Sequence, residues 1–81
     1  MASARRRQQP KRLARKLLAI RVNLGLSQTE MARRLELKKA YTVISAYERG
    51  TREPDLITLL RYARLARVTV DVLIDDKANL P

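Results

Sequence analysis

Between Leu24 and Met31 the chain has to close one helix and open the next, and no other stretch constrains the fold as tightly. Leu13, Leu17, Ile20 and Leu24 recur at intervals of three and four, the stripe of an amphipathic helix, while Arg15 and Lys16 fall away from it. Gly25 stands where a left-handed closing residue is wanted, and Leu26 can then pack back on the helix it ends. Ser27-Gln28-Thr29-Glu30 follows as a capping box, in which the Ser27 hydroxyl accepts from the Glu30 amide and the Glu30 carboxylate accepts from the Ser27 amide. A short second helix is therefore predicted over about residues 28–36, with Met31, Ala32 and Leu35 on its buried side.

Lys38-Lys39-Ala40 reads as a turn, after which Thr42 to Arg49 forms a third helix with Ile44 and Tyr47 on one side and Gly50 closing it. Pro54-Asp55 is a stop followed by an N-cap, and Leu56, Leu59, Leu60, Ala63 and Ala66 make the stripe of a fourth helix ending near Arg67. From Val68 to Ile74 the alternation is almost that of a strand. A lone strand would find no partner, which favours a short fifth helix capped by Thr69. The expected fold class is all-α, a compact bundle of about five short helices. Residues 1–11 are expected to form a flexible basic arm, 12–75 the folded domain and 76–81 a polar tail.

Composition narrows the function. The chain has 81 residues, enough for one core, and its only aromatic residues are three Tyr, so Leu, Ile, Val, Met and Ala must fill that core. There is no Cys and no His, which removes disulfides, thiol chemistry and imidazole-based metal or proton-transfer sites. Carboxylates are scattered rather than paired and no Gly-rich phosphate loop is present, so an enzyme is not expected, nor a cofactor or metal. No apolar run approaches the length of a membrane span, and the basic N-terminus leads into amphipathic sequence unlike a secretory signal. A cytoplasmic location is expected. The net charge is +10, of which residues 1–34 carry +9, with ten Lys or Arg against Glu30 alone. Such a field attracts polyanions, of which nucleic acid and anionic membrane are the candidates.

Several residues in order are similar to a known pattern: Arg21, Gly25-Leu26-Ser27-Gln28, Met31-Ala32, Ile44-Ser45, Tyr47-Glu48-Arg49-Gly50, Pro54, Leu59, Ala63 and Leu73. Over residues 13–74 the chain thereby resembles the Cro and lambda-repressor type of helix-turn-helix proteins, the xenobiotic-response-element family. The resemblance implies double-stranded DNA as partner, Gln28 at the start of the second helix donating to a phosphate, and the third helix in the major groove. A helical projection groups Thr42, Ser45, Ala46 and Arg49 opposite Ile44 and Tyr47, with Tyr41 at the leading end, as candidate base readers. Lys38, Lys39 and Arg52 flank that helix as candidate backbone contacts, and Arg5 to Arg7 are candidates for tracking the minor groove. The resemblance further implies an ion pair between Arg21 and Glu48.

Two departures stand out. The separation of Ala32 from Glu48 is about two residues longer than the pattern usually shows, an excess that falls around Lys38-Lys39. Arg67 occupies the place where a Gly commonly ends the fourth helix, so either a non-Gly residue takes positive φ there or the turn differs.

The expected function is a transcriptional regulator, a repressor acting as a homodimer, with Tyr62, Leu65, Ile74 and Leu80 as dimer contacts. An antitoxin that binds its operator and a toxin is the alternative. A membrane-surface peptide, suggested by the basic amphipathic residues 11–24, would leave the capping box and the later motifs unexplained.

Overall fold

The structure is a computed structural model that describes residues 9–38 and 41–81; Arg5 to Arg7, Lys39 and Ala40 lie outside the described residues. Among the described residues five helices follow one another: α1 (Leu13–Leu24), α2 (Gln28–Arg34), α3 (Tyr41–Arg49), α4 (Leu56–Ala66) and α5 (Val70–Ile74). The all-α bundle expected from periodicity is the fold observed. Its single core joins Leu13, Leu17 and Ile20 of α1 to Met31 and Ala32 of α2, Ile44 and Tyr47 of α3, and Leu59, Tyr62, Ala63 and Leu73 of α4 and α5.

The helix ends follow from local chemistry. The capping box is complete: Glu30 N donates to Ser27 Oγ at 3.0 Å and Ser27 N to Glu30 Oε1 at 2.8 Å, bonds that hold the Glu30 carboxyl below its usual pKa. Asp55 caps α4 by accepting from Thr58 N at 2.8 Å. Thr69 is the cap residue of α5, yet its side chain makes no capping bond.

Four helices close by one device, a left-handed residue whose N–H and whose successor's N–H return to the last turn. Gly25 (φ 70°) ends α1 and Gly50 (φ 76°) ends α3. Glu36 (φ 59°) and Arg67 (φ 60°) do the same after α2 and α4, so the positive-φ alternative foreseen at Arg67 is the one adopted. A side chain in that region costs about 1–2 kcal/mol. The chain owns two glycines for four such turns, and charged residues fill the other two.

Four expectations about the core need correcting. Lys16, expected off the α1 stripe, is 4% exposed, because its Nζ donates to Val72 O at 2.7 Å and Asp75 O at 2.8 Å and its stem fills space between α1 and α5. The α4 stripe is rotated. Thr58, Leu59, Tyr62 and Ala63 point inward, while Leu56 is 79% exposed. Tyr62, expected as a dimer contact, is fully buried and meets Tyr47 edge to face with ring centroids 6.4 Å apart. Leu24, the last residue of the expected α1 stripe, is also exposed.

Candidate nucleic-acid interface

Helix α3 is amphipathic in a way that exposes a small polar face. Ile44 and Tyr47 anchor it to the core. Thr42 and Arg49 are exposed and Ser45 and Ala46 half-buried, all on the opposite side, and Tyr41 opens the helix. Small side chains over two turns leave the backbone able to approach another surface closely, with hydroxyls and one guanidinium available to it. Lys38 and Arg52 are exposed before and after α3.

The angle of α3 is set by a polar cluster at its C-terminal end. Arg21 Nε donates to Glu48 Oε2 at 2.7 Å, Arg21 Nη2 to Glu48 Oε1 at 3.1 Å, and Arg21 Nη1 to the Leu26 carbonyl at 2.9 Å. The fork-on-fork geometry ties α1, the α1–α2 junction and α3 together at fixed distances. The two side chains are 17% and 6% exposed. The bond from Glu48 outweighs burial and holds the Arg21 pKa above its ordinary value. The ion pair expected from the resemblance is therefore present.

Gln28, first residue of α2, joins the same cluster: its Nε2 donates to Glu48 Oε1 at 3.2 Å. An amide nitrogen carries two hydrogens, so one is committed to Glu48 and one stays available. Sequence reasoning missed this link. Gln28 and Glu48 are 20 residues apart, the resemblance pairs Glu48 with Arg21 alone, and only the packing of α2 on α3 brings Gln28 to it.

Beyond α3, Gln9, Pro10 and Lys11 line an open groove whose opposite wall is Tyr47, Gly50, Arg52, Glu53 and Pro54. The start of the described chain thus runs across the turn that follows α3. Among the described residues no helix is long and apolar enough to cross a membrane.

The chain is similar to known proteins at two levels. A family model described as helix-turn-helix matches residues 17–73, which is more than half of the chain. Among solved structures, the P22 c2 repressor protein in complex with synthetic operator 9T in the presence of Tl+ shares the fold with a TM-score of 0.70 at 22% identity, over 79% of this chain and 94% of that one. No curated protein sequence matches the chain. From the matched span, the capping box, the Arg21–Glu48 pair and the exposed face of α3 together, the chain belongs to the helix-turn-helix family of DNA-binding transcription regulators, of the Cro and lambda-repressor type.

Proposed function

We propose that the protein is a sequence-specific repressor that works in the cytoplasm and binds a palindromic operator as a homodimer. The observation that carries the proposal is the α3 face of Thr42, Ser45, Ala46 and Arg49, turned away from the core and held at a set angle by the Arg21–Glu48 pair. In this reading α3 enters the major groove and those four side chains meet base edges, with Tyr41 at the leading end. Gln28 donates its free amide hydrogen to a phosphate, and Lys38, Lys39 and Arg52 hold the duplex backbone on either side. The similarity of fold to a repressor in complex with operator DNA supports this arrangement.

Positioning and reading residues are then separable. Gln28→Ala is expected to weaken binding to all sequences by a similar factor. Thr42→Ala or Ser45→Ala is expected to cost roughly 1–3 kcal/mol on the best site and to alter preference at one or two base pairs. Sites selected from random DNA, followed by competition with single-base variants, provide the measurement. Uniform losses for the Thr42 and Ser45 variants would mean that α3 is not the reader.

Exposed apolar surface supports the homodimer. Leu56, Ile57 and Ile74 are exposed, and Leu56 and Ile74 rim one groove with Pro10, Pro54 and Val70. Of the four contacts expected from sequence, Ile74 alone is exposed; Leu65 and Leu80 are partly buried against the chain's own core. Replacing Leu56 and Ile74 together by Glu is expected to raise the dimer dissociation constant more than tenfold, about 1.4 kcal/mol, as read by sedimentation equilibrium. A parent protein that stays monomeric at the highest accessible concentration would exclude the dimer.

A further inference from the structure

Among the described residues four basic side chains turn to backbone carbonyls. Arg12 Nη1 donates to Asp76 O at 2.7 Å and Ala78 O at 3.3 Å, where the Asp76 carboxylate in turn accepts from Lys11 N and Arg12 N at 3.0 Å each. Lys16 holds Val72 O and Asp75 O, and Arg21 holds Leu26 O. The fourth is Arg61 of α4, whose Nη1 donates to the Leu35 carbonyl at 3.0 Å, 26 residues back along the chain.

Leu35 closes α2. It is the C-cap residue and its side chain is fully buried; beyond it Glu36 N donates to Arg33 O at 3.0 Å and Leu37 N to Ala32 O at 2.9 Å. The last carbonyls of a helix have no partner within it and carry the negative end of its dipole, so a guanidinium is favoured there. Glu36 adds little to the link, because its Oε1 is 3.8 Å from Arg61 Nη2 and its side chain is 74% exposed. The carbonyl bond is what joins α4 to the end of α2.

Helix α2 is thereby fastened at both ends. At its start Gln28 donates to Glu48 and Arg21 to the Leu26 carbonyl; at its finish Arg61 holds Leu35. With seven residues it is on the order of 10 Å long, so a shift of either end turns the whole helix. If the finish is released, α2 is left to pivot about Glu48, the residue that α3 shares with Gln28. The excess of about two residues between Ala32 and Glu48 makes the connecting chain a looser constraint on that pivot, and a bond from α4 supplies what the connection does not.

We propose that Arg61 is a positioning residue for base recognition: its bond to the Leu35 carbonyl fixes the tilt of α2, and through Gln28 and Glu48 the pose in which α3 meets base edges. The inference rests on the DNA-binding reading given above and adds to it a residue of α4, outside the α3 face.

The test compares two affinities for each protein, one for a labelled duplex carrying the site selected from random DNA and one for a labelled duplex of mixed sequence without it. The ratio of the two is the readout, taken at a temperature at which circular dichroism shows each protein folded. Arg61→Met and Arg61→Gln both remove the guanidinium, from a side chain that is 35% exposed. Each is expected to lower the ratio about tenfold, comparable to one mismatched base pair, with affinity for mixed sequence changed by less than about threefold. Either variant suffices if the other does not fold. Arg61→Lys keeps a charged donor and is expected to lie between these and the parent, whereas Glu36→Gln keeps the carbonyl bond and the parent's ratio. If Arg61 only stabilises the fold, Arg61→Met and Arg61→Gln lower the urea midpoint and leave the ratio at the parent value; that result overturns the inference. So does a Glu36→Gln variant as impaired as Arg61→Met, because the carbonyl bond would then not be the cause. A parent chain that binds no DNA, or binds every sequence alike, overturns the regulator reading and this inference together.

Discussion

Glu48→Ala is expected to lower the unfolding free energy by about 3 kcal/mol and to weaken binding to every DNA sequence. The Glu48 carboxylate receives two donors from Arg21 and one from Gln28. Its removal leaves a guanidinium that is 17% exposed, still donating to the Leu26 carbonyl but stripped of its counter-charge. Breaking a buried pair from one side costs about 3–5 kcal/mol, and the partial exposure of Arg21 puts this case at the lower end. For a domain of this size such a loss lowers the thermal midpoint on the order of 15 °C. Glu48→Gln keeps the shape and one acceptor, so it should recover part of the loss. A Glu48→Ala variant that unfolds in urea at the parent's midpoint would show that the pair contributes no stability.

At Tyr62 the size of the replacement decides the outcome. Tyr62→Ala is expected to cost about 3–5 kcal/mol, because a fully buried ring in edge contact with Tyr47 is replaced by a cavity. Tyr62→Phe is expected to fall within about 1 kcal/mol of the parent or above it. The Tyr62 hydroxyl is buried without a hydrogen-bond partner among the described residues, and a buried unpaired hydroxyl carries a desolvation cost that phenylalanine lacks. Burial, aided by the negative charge of Glu48, pushes the phenol pKa well above its ordinary value, so the ring stays neutral throughout the working range. Denaturant unfolding of both variants gives the comparison; a large loss for Tyr62→Phe would mean that the hydroxyl has a partner after all.

What can be read from residues and what cannot divides along the range of the interactions. Gly25, Ser27 and Glu30 act on neighbours within a few positions, so the α1–α2 junction is legible to the residue. The α3 face is legible for a similar reason, since Ile44 and Tyr47 fix the phase of a helix otherwise polar. In α4 the apolar residues Leu56, Ile57, Leu59, Leu60 and Leu65 surround most of the helix, and periodicity leaves the phase open; packing selects the side that buries Tyr62. Lys16 is misread because its partners are backbone carbonyls 56 and 59 residues away, which no side-chain pattern announces. The Arg21–Glu48 pair also joins distant positions, 27 residues apart, and only resemblance to a family makes it visible. Glu36 shows a third limit: a left-handed turn on a glutamate leaves no mark in composition, whereas one on a glycine does.

The bonds that Asp75 and Asp76 make to the start of α1 also dictate an order of events during synthesis. Helix α1 leaves the ribosome before the other four, yet the Asp76 carboxylate that receives the amides leading into it is added only after α2, α3, α4 and α5 have been made. Until then the two residues leading into α1, Lys11 and Arg12, have bare amides, and Lys16 lacks the carbonyls of Val72 and Asp75. A nascent chain can therefore form the α1–α2 junction early, but Lys11 and Arg12 find their partners only when Asp76 arrives. Chains cut short before Asp76 would carry a complete α3 face on a body whose leading edge is still loose, and the protein is in this sense finished from its far end backward.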